Sequence, residues 1–304
     1  MSKRILLSLA LACTAVMQFN CNGCGGGSDE EIQAFIPEDD LGSSNANYNF
    51  EAMNEVIASF SAPVEMAALL KDIDVPFTNK YLLNPDKVKE VTTLFKKSLG
   101  LGMLSVDLGY LNVYQKTSQI LEYLVAVRQL TEELKLGQFF DFPTLKRLAT
   151  SDDNIDTLQF MCTQSYRNMD AHLRESQRSN LSALLVTGVW TESIYLLTQI
   201  EKEIKEQTGQ YSADLKDAIG QQKSVLNSLL PILRMFKDRD SNYGELVHSL
   251  EELKDVLDIV NISVQVENSP DGSVVNEYSV VEISDEDLAE IITAAEKIRN
   301  KIIN

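Results

Sequence analysis

Two carboxylates stand alone in otherwise uncharged, helix-forming stretches. Asp107 is the one charged residue between Lys97 and Lys116, and Glu192 the one between Arg178 and Glu201. A carboxylate on a buried face must be paired, hydrogen-bonded or protonated, because desolvation of the bare charge is costly. At about 100° of rotation per residue, Asp107 falls on the side of Leu111, Tyr114, Leu121 and Val125. Glu192 shares a face with Leu181, Leu185, Gly188, Tyr195 and Gln199, and Gly188 would let a second helix approach closely. Tyr110, Tyr114, Trp190 and Tyr195 are the neighbouring donors, and Arg128, Arg147 and Arg167 the expected countercharges. Asp107, Tyr110, Tyr114, Trp190, Glu192 and Tyr195 thus form a candidate polar site inside a bundle. It is either a ligand pocket or a satisfied structural network, and the network is the commoner origin of such a pattern.

Other chemistry is thinly supplied. The two histidines, His172 and His248, belong to no H-E-x-x-H. Glu245-Leu-Val-His248 is one half of a helical di-iron pattern, but Met169 stands where the second half, three residues before His172, needs a glutamate. Both histidines read as lone surface residues. No nucleophile elbow, Walker loop or dinucleotide fingerprint occurs, so no catalytic, metal or cofactor-binding residue is expected. Of the four cysteines, Cys13, Cys21 and Cys24 crowd the N-terminus, and Cys162 sits in an apolar phrase as a small buried thiol. Cys21-Asn-Gly-Cys24 lacks the strand–helix context or second pair that redox or zinc chemistry requires.

The elements that would position the two carboxylates are helices. Asn84-Pro85-Asp86 starts one that Gly100 should end. Residues 103–134 form the longest periodic stretch, with Asn112, Gln115, Gln119, Glu122, Gln129 and Glu133 marking one thin wet face. Further helices are expected over 142–149, 154–175, 179–206, 212–237 (kinked at Pro231) and 242–260. The run from Leu181 to Leu197 is barely long enough for a membrane span and contains Glu192, so a core helix fits it better. Ile262, Val264 and Val266 then alternate with polar residues, and a turn at Ser269-Pro-Asp-Gly272 leads into a second β-rich run. Ser284-Asp-Glu-Asp287 caps a last helix with the stripe Leu288, Ile291, Ile292, Ala295, Ile298 and Ile302. Lys297, Arg299 and Lys301 sit at its dipole-favoured end. The fold class is therefore all-α: a bundle of roughly eight helices with one small hairpin, about 262–283, before the last helix.

The N-terminus carries an address. Lys3-Arg4 precede a short apolar run ending at Met17, and Cys21-Asn-Gly-Cys24-Gly-Gly-Gly-Ser follows. A basic start, apolar run, cysteine and flexible tether are the order of a bacterial lipoprotein signal. Cys24 is the expected lipidation site, Cys21 the alternative, with Cys13 a third. Residues 1–23 would then be signal peptide, 24–50 a flexible acidic Gly/Ser-rich tether, and 51–304 the helical domain, with ordered helix from near Glu51. The chain of 304 residues has 27 Lys plus Arg against 45 Asp plus Glu, a net charge of −18. So acidic a surface repels phosphate backbones, which excludes nucleic acid as an expected partner.

Several phrases resemble a known family: Ser105-Val-Asp-Leu-Gly-Tyr110, Gly137-Gln-Phe-Phe-Asp-Phe142, Lys146-Arg-Leu-Ala-Thr150, Arg178-Ser-Asn-Leu-Ser182, Trp190-Thr-Glu192 and Ile298-Arg-Asn-Lys-Ile-Ile-Asn304. From about Pro63 onward the chain is similar to all-helical lipoprotein-type envelope proteins of Bacteroidetes that have no established activity. The resemblance implies an envelope address, with outer-membrane anchoring facing either the periplasm or the cell surface, and a helical fold. It implies no reaction, cofactor or partner. Two functions are thus expected in order: a lipid-anchored, non-catalytic protein that binds or scaffolds another envelope component, then a small-ligand sensor using the Asp107/Glu192 interior. A hydrolase using the two carboxylates ranks third.

Overall fold

The longest helix explains the rest of the architecture, since every residue from Leu181 to Glu201 is buried and it needs cover on all sides. The structure, a computed structural model, is described for residues 69–149, 155–268 and 274–303. In chain order the elements are α1 (Pro85–Lys89), α2 (Leu94–Val113), α3 (Thr117–Glu133), a 3-10 turn (Gly137–Phe139), α4 (Phe142–Ala149), α5 (Ile155–Glu175) and α6 (Ser179–Thr208). Then come α7 (Ala213–Arg234), α8 (Ser241–Leu257), β1 (Asn261–Asn268), β2 (Val274–Glu282) and α9 (Asp285–Ile303). This is the all-α bundle with one antiparallel hairpin near its C-terminal side.

Central helix α6 packs against α2 most extensively, and also against α9, α7 and α5. A Cβ added at Gly188 would overlap the Leu99 carbonyl, and one at Gly102 would overlap the Leu185 carbonyl. The two helices thus cross backbone against backbone, which only glycine permits. Among the described residues α6 is the one helix long and apolar enough to cross a membrane, but that stretch is wholly buried in the bundle. Its apolarity serves the core. The β1–β2 hairpin pairs Asn261 with Glu282 through Glu267 with Asn276, and Val281 of β2 lies over Gly220 of α7.

Caps set the boundaries. Asn84, Thr93, Ser212, Asp240 and Ser284 each accept a backbone N–H at the start of the helix that follows. At C-terminal ends, Asp74, Gln115, Lys135 and Gln177 adopt left-handed φ values of 55–59°. In each case the next residue's N–H returns to a carbonyl five positions back, as in Val75 to Leu70 and Lys116 to Leu111. These are Schellman-type endings without glycine.

Two expectations are corrected. Gly100 ends nothing, since α2 runs through it from Leu94 to Val113, and the glycine instead makes room for Val88. The stretch 103–134 is two helices, broken at Tyr114–Lys116 by the left-handed Gln115. The break turns Val125 out to 59% exposure, away from Asp107, while Asn112 of the expected wet face is buried. Pro231 lies inside α7, which continues to Arg234. The signal, tether, lipidation cysteines and helix start near Glu51 lie outside the described residues, as does the side chain of Cys162.

Candidate functional site

At the crossing of α2 and α6, helix geometry turns Asp107 and Glu192 inward, and neither has any exposed surface. Glu192 is held by Arg299 of α9: Nε donates to Oε2 at 3.1 Å and Nη2 to Oε1 at 3.1 Å. The Arg299 guanidinium also lies 4.5 Å over the Tyr195 ring. Burial pushes the Glu192 carboxyl up, and the arginine pulls it back. Desolvating such a pair costs several kcal/mol per ion, repaid only by good geometry and further hydrogen bonds. Here the fork-to-fork contact and the aromatic face provide them.

Asp107 has a different partner. Its Oδ2 accepts the Leu83 N–H at 2.8 Å, while Oδ1 has no hydrogen-bond partner among the described residues. Burial, then the nearby Glu192 charge, hold this carboxyl well above the ordinary range, with Leu83 and Arg299 opposing. Arg299 is committed to Glu192 through both forks, so of the two carboxyls Asp107 is the one whose charged form burial opposes with less compensation.

Leu83 belongs to an irregular segment, residues 75–84, that includes a turn from Asn79 to Leu82 and runs beside Asp107, Tyr110 and Tyr114 of α2. Five buried or half-buried side chains grip its backbone. Besides Asp107, Tyr110 Oη accepts the Thr78 N–H at 3.2 Å, and Tyr114 Oη donates to the Val75 carbonyl at 2.7 Å. Tyr123 Oη donates to the Leu83 carbonyl at 2.7 Å, and Arg299 Nη2 to the Tyr81 carbonyl at 3.4 Å. Phe77 of the segment stacks on Tyr110, with ring centroids 5.6 Å apart. The polar interior is thus filled by the chain's own strap. Each bond meets a need, since a covered segment without secondary structure has backbone groups that must find partners.

Of the six residues singled out by sequence, Asp107, Tyr110 and Tyr114 hold the strap, while Glu192 and Tyr195 hold Arg299. Trp190 is fully buried, with no partner for its indole N–H among the described residues. The expected countercharges are elsewhere: Arg128 pairs on the surface with Glu132, and Arg147 and Arg167 are exposed. Arg299 was hidden by its position among the basic residues closing α9. Its spacing from Leu288, Ile292 and Ala295 nevertheless puts it on the apolar stripe. Tyr123 and the strap carry no comparable signal.

The rest of the chemistry is sparse. His172 packs its ring 5.0 Å from Phe139, and exposed His248 lies 3.6 Å from Glu252. Among the described residues no group of three His, Cys, Asp or Glu side chains is placed to hold a metal. Two further carboxylates are buried: Asp170 of α5 accepts from Ser182 and pairs with Arg174, and burial pushes Glu201 of α6 up to about 7. A surface groove of about 590 Å³ between α7 and the hairpin, lined by Lys216, Asn261, Val281 and Ile283, includes none of the six residues. Comparison with protein-family models, with curated proteins and with solved structures finds no match for this chain.

Proposed function

We propose that the chain is an exported, lipid-anchored protein of the cell envelope whose helical body binds or scaffolds another envelope component without catalysing a reaction. The address rests on the order basic start, apolar run, cysteine, Gly/Ser tether. The resemblance to Bacteroidetes lipoprotein-type proteins points to the same address, with anchoring in the outer membrane. The observation that supports a non-catalytic role for this interior is the Glu192–Arg299 pair, whose two forks engage each other and have almost no access to solvent. Metabolic acyl labelling tests the anchor. Label is expected on the wild type and lost from the Cys21→Ser/Cys24→Ser variant; an unlabelled wild type refutes the anchor, and a labelled double variant refutes the choice of cysteines. Affinity capture of the native lipoprotein from membranes tests the binding role, and recovery of no specific partner counts against it.

One observation favours a second reading, a small-ligand sensor: Asp107 Oδ1 is a buried acid oxygen without a hydrogen-bond partner among the described residues. A small ligand that protects the protein from thermal unfolding, and loses that effect in Asp107→Asn, would favour it.

A further inference from the structure

Glu201 closes the fully buried run of α6 and has no exposed surface. Neither of its carboxyl oxygens has a hydrogen-bond partner among the described residues. It lies where the end of α6 meets the start of α7 and the start of α9. The groups acting on it are the Ser212 N–H and Lys216 of α7, Asp285 of α9, and Lys205 one turn on in α6 itself.

Asp285 ties this junction together. Its Oδ2 accepts from Lys205 Nζ at 3.2 Å and its Oδ1 from Lys216 Nζ at 3.0 Å, so one carboxylate of α9 holds both α6 and α7. The two lysines keep the Asp285 carboxyl below its ordinary range. Lys205 is also placed over the Tyr211 ring, 4.5 Å from its centroid. Lys216 instead lines the groove beside the hairpin, with Val281, Ile283 and Ser284. Two carboxyls thus share two cations, and the one that is buried is the one left without them.

We propose that Glu201 is a pH-sensitive switch of this junction. As a neutral acid it leaves both lysines to Asp285, the arrangement in the structure. Once ionised it draws Lys216 away from Asp285, which loosens the start of α9, frees the hairpin end that leads into it and reshapes the groove. Burial sets the working range by pushing Glu201 up to about 7; the Ser212 N–H, Lys216 and Lys205 pull it down, and Asp285 adds to the rise. This folded value lies above the ordinary 4.5. The stability contributed by the neutral acid is therefore complete below the ordinary value and is lost as pH rises through the folded one. The switch goes beyond the binding role and needs neither anchor nor partner, so its failure would leave that reading untouched.

NMR of the purified full chain with carboxyl-labelled glutamate reads the proton directly. One glutamate is expected to titrate near neutral pH in the wild type, and that titration should be missing from Glu201→Gln. A wild type in which no glutamate titrates there overturns the proposal, as does a titration that survives the substitution. Hydrogen exchange, corrected for the intrinsic effect of pH, reads the junction. From about pH 6 to about pH 8, the Leu288 amide, which bonds the Ser284 carbonyl, should lose protection at least roughly threefold in the wild type. Amides of α2 should keep theirs, and Glu201→Gln should show no loss at Leu288. No loss in the wild type, an equal loss in α2, or the same loss in Glu201→Gln overturns the proposal. Lys216→Met keeps the test open should Glu201→Gln not fold. It removes the cation that moves, so protection at Leu288 should be low at both pH values, and a full pH-dependent loss in this variant overturns the proposal too.

Discussion

Two buried carboxylate–arginine pairs flank α6, and they differ in where the arginine comes from. Asp170 is paired one helical turn away, with Arg174 on its own helix, and takes a further hydrogen bond from Ser182. Glu192 is paired with Arg299, 107 residues later in the chain. The first pair forms whenever α5 forms and keeps slightly more contact with water, Arg174 and Asp170 having 13% and 4% side-chain exposure against 8% and 0% for Arg299 and Glu192. The second forms only when α9 has docked, and the Glu192 side chain has no exposure at all. A local pair decorates a helix; a distant one decides whether two helices belong together.

The largest effect should follow from splitting the distant pair. Arg299→Met leaves Glu192 buried without a partner and should lower stability by about 3–5 kcal/mol in urea denaturation. Glu192→Leu/Arg299→Met should recover most of that loss, because both charges leave together. A double variant as unstable as the single one would show that Arg299 acts through the strap and not through Glu192.

Splitting the local pair should matter less. Arg174→Met is expected to cost about 1–3 kcal/mol, as Ser182 still serves Asp170 and water is near. A loss as large as that of Arg299→Met, read from the same urea curves, would erase the contrast between the two pairs.

Asp107, which has no arginine of its own, sharpens the comparison through pH. Its folded-state value is raised well above the ordinary 3.8 by burial. The unfolded chain therefore loses this proton first as pH rises, and its contribution, fully present at acid pH, is lost from about pH 4 up through the folded value. Asp107→Asn keeps an acceptor for Leu83 and cannot ionise. It should match wild type near pH 3 and melt progressively higher than wild type as pH increases. A constant offset across pH would mean that Asp107 is already ionised in the folded protein.

The smallest effect concerns a purely local feature. Gln115 is exposed and left-handed at the end of α2. Gln115→Gly should stabilise by about 0.5–1 kcal/mol, since glycine adopts that conformation without a Cβ clash. An unchanged melting temperature would mean that the side chain's own contacts offset the strain.

These residues also mark where the chain was legible. The apolar stripes of α8 and α9, the Ser284 cap and the alternation in β1 each state their element locally, so fold class follows from short windows. Gly100 misled because a glycine reads as a stop, whereas α2 uses it for a close neighbour. Gln115 misled in reverse, because its cap is made of backbone geometry with no residue type to announce it. At the site, the isolation of Asp107 and Glu192 from other charges was visible. What they bind was not, since Leu83 and Arg299 are brought to them only by the assembled fold, and the strap has no period to detect.

The distance between Glu192 and Arg299 also sets an order of events. A chain is made from its N-terminus, so α6, with its inward glutamate, exists long before the helix that neutralises it. Until α9 has emerged, α6 can have α2 against it, but Glu192 must either stay near water or take up a proton. The stretch between α6 and α9 is thus a window in which a chain emerging from its N-terminal side lacks this pair, and in which chaperones can hold it.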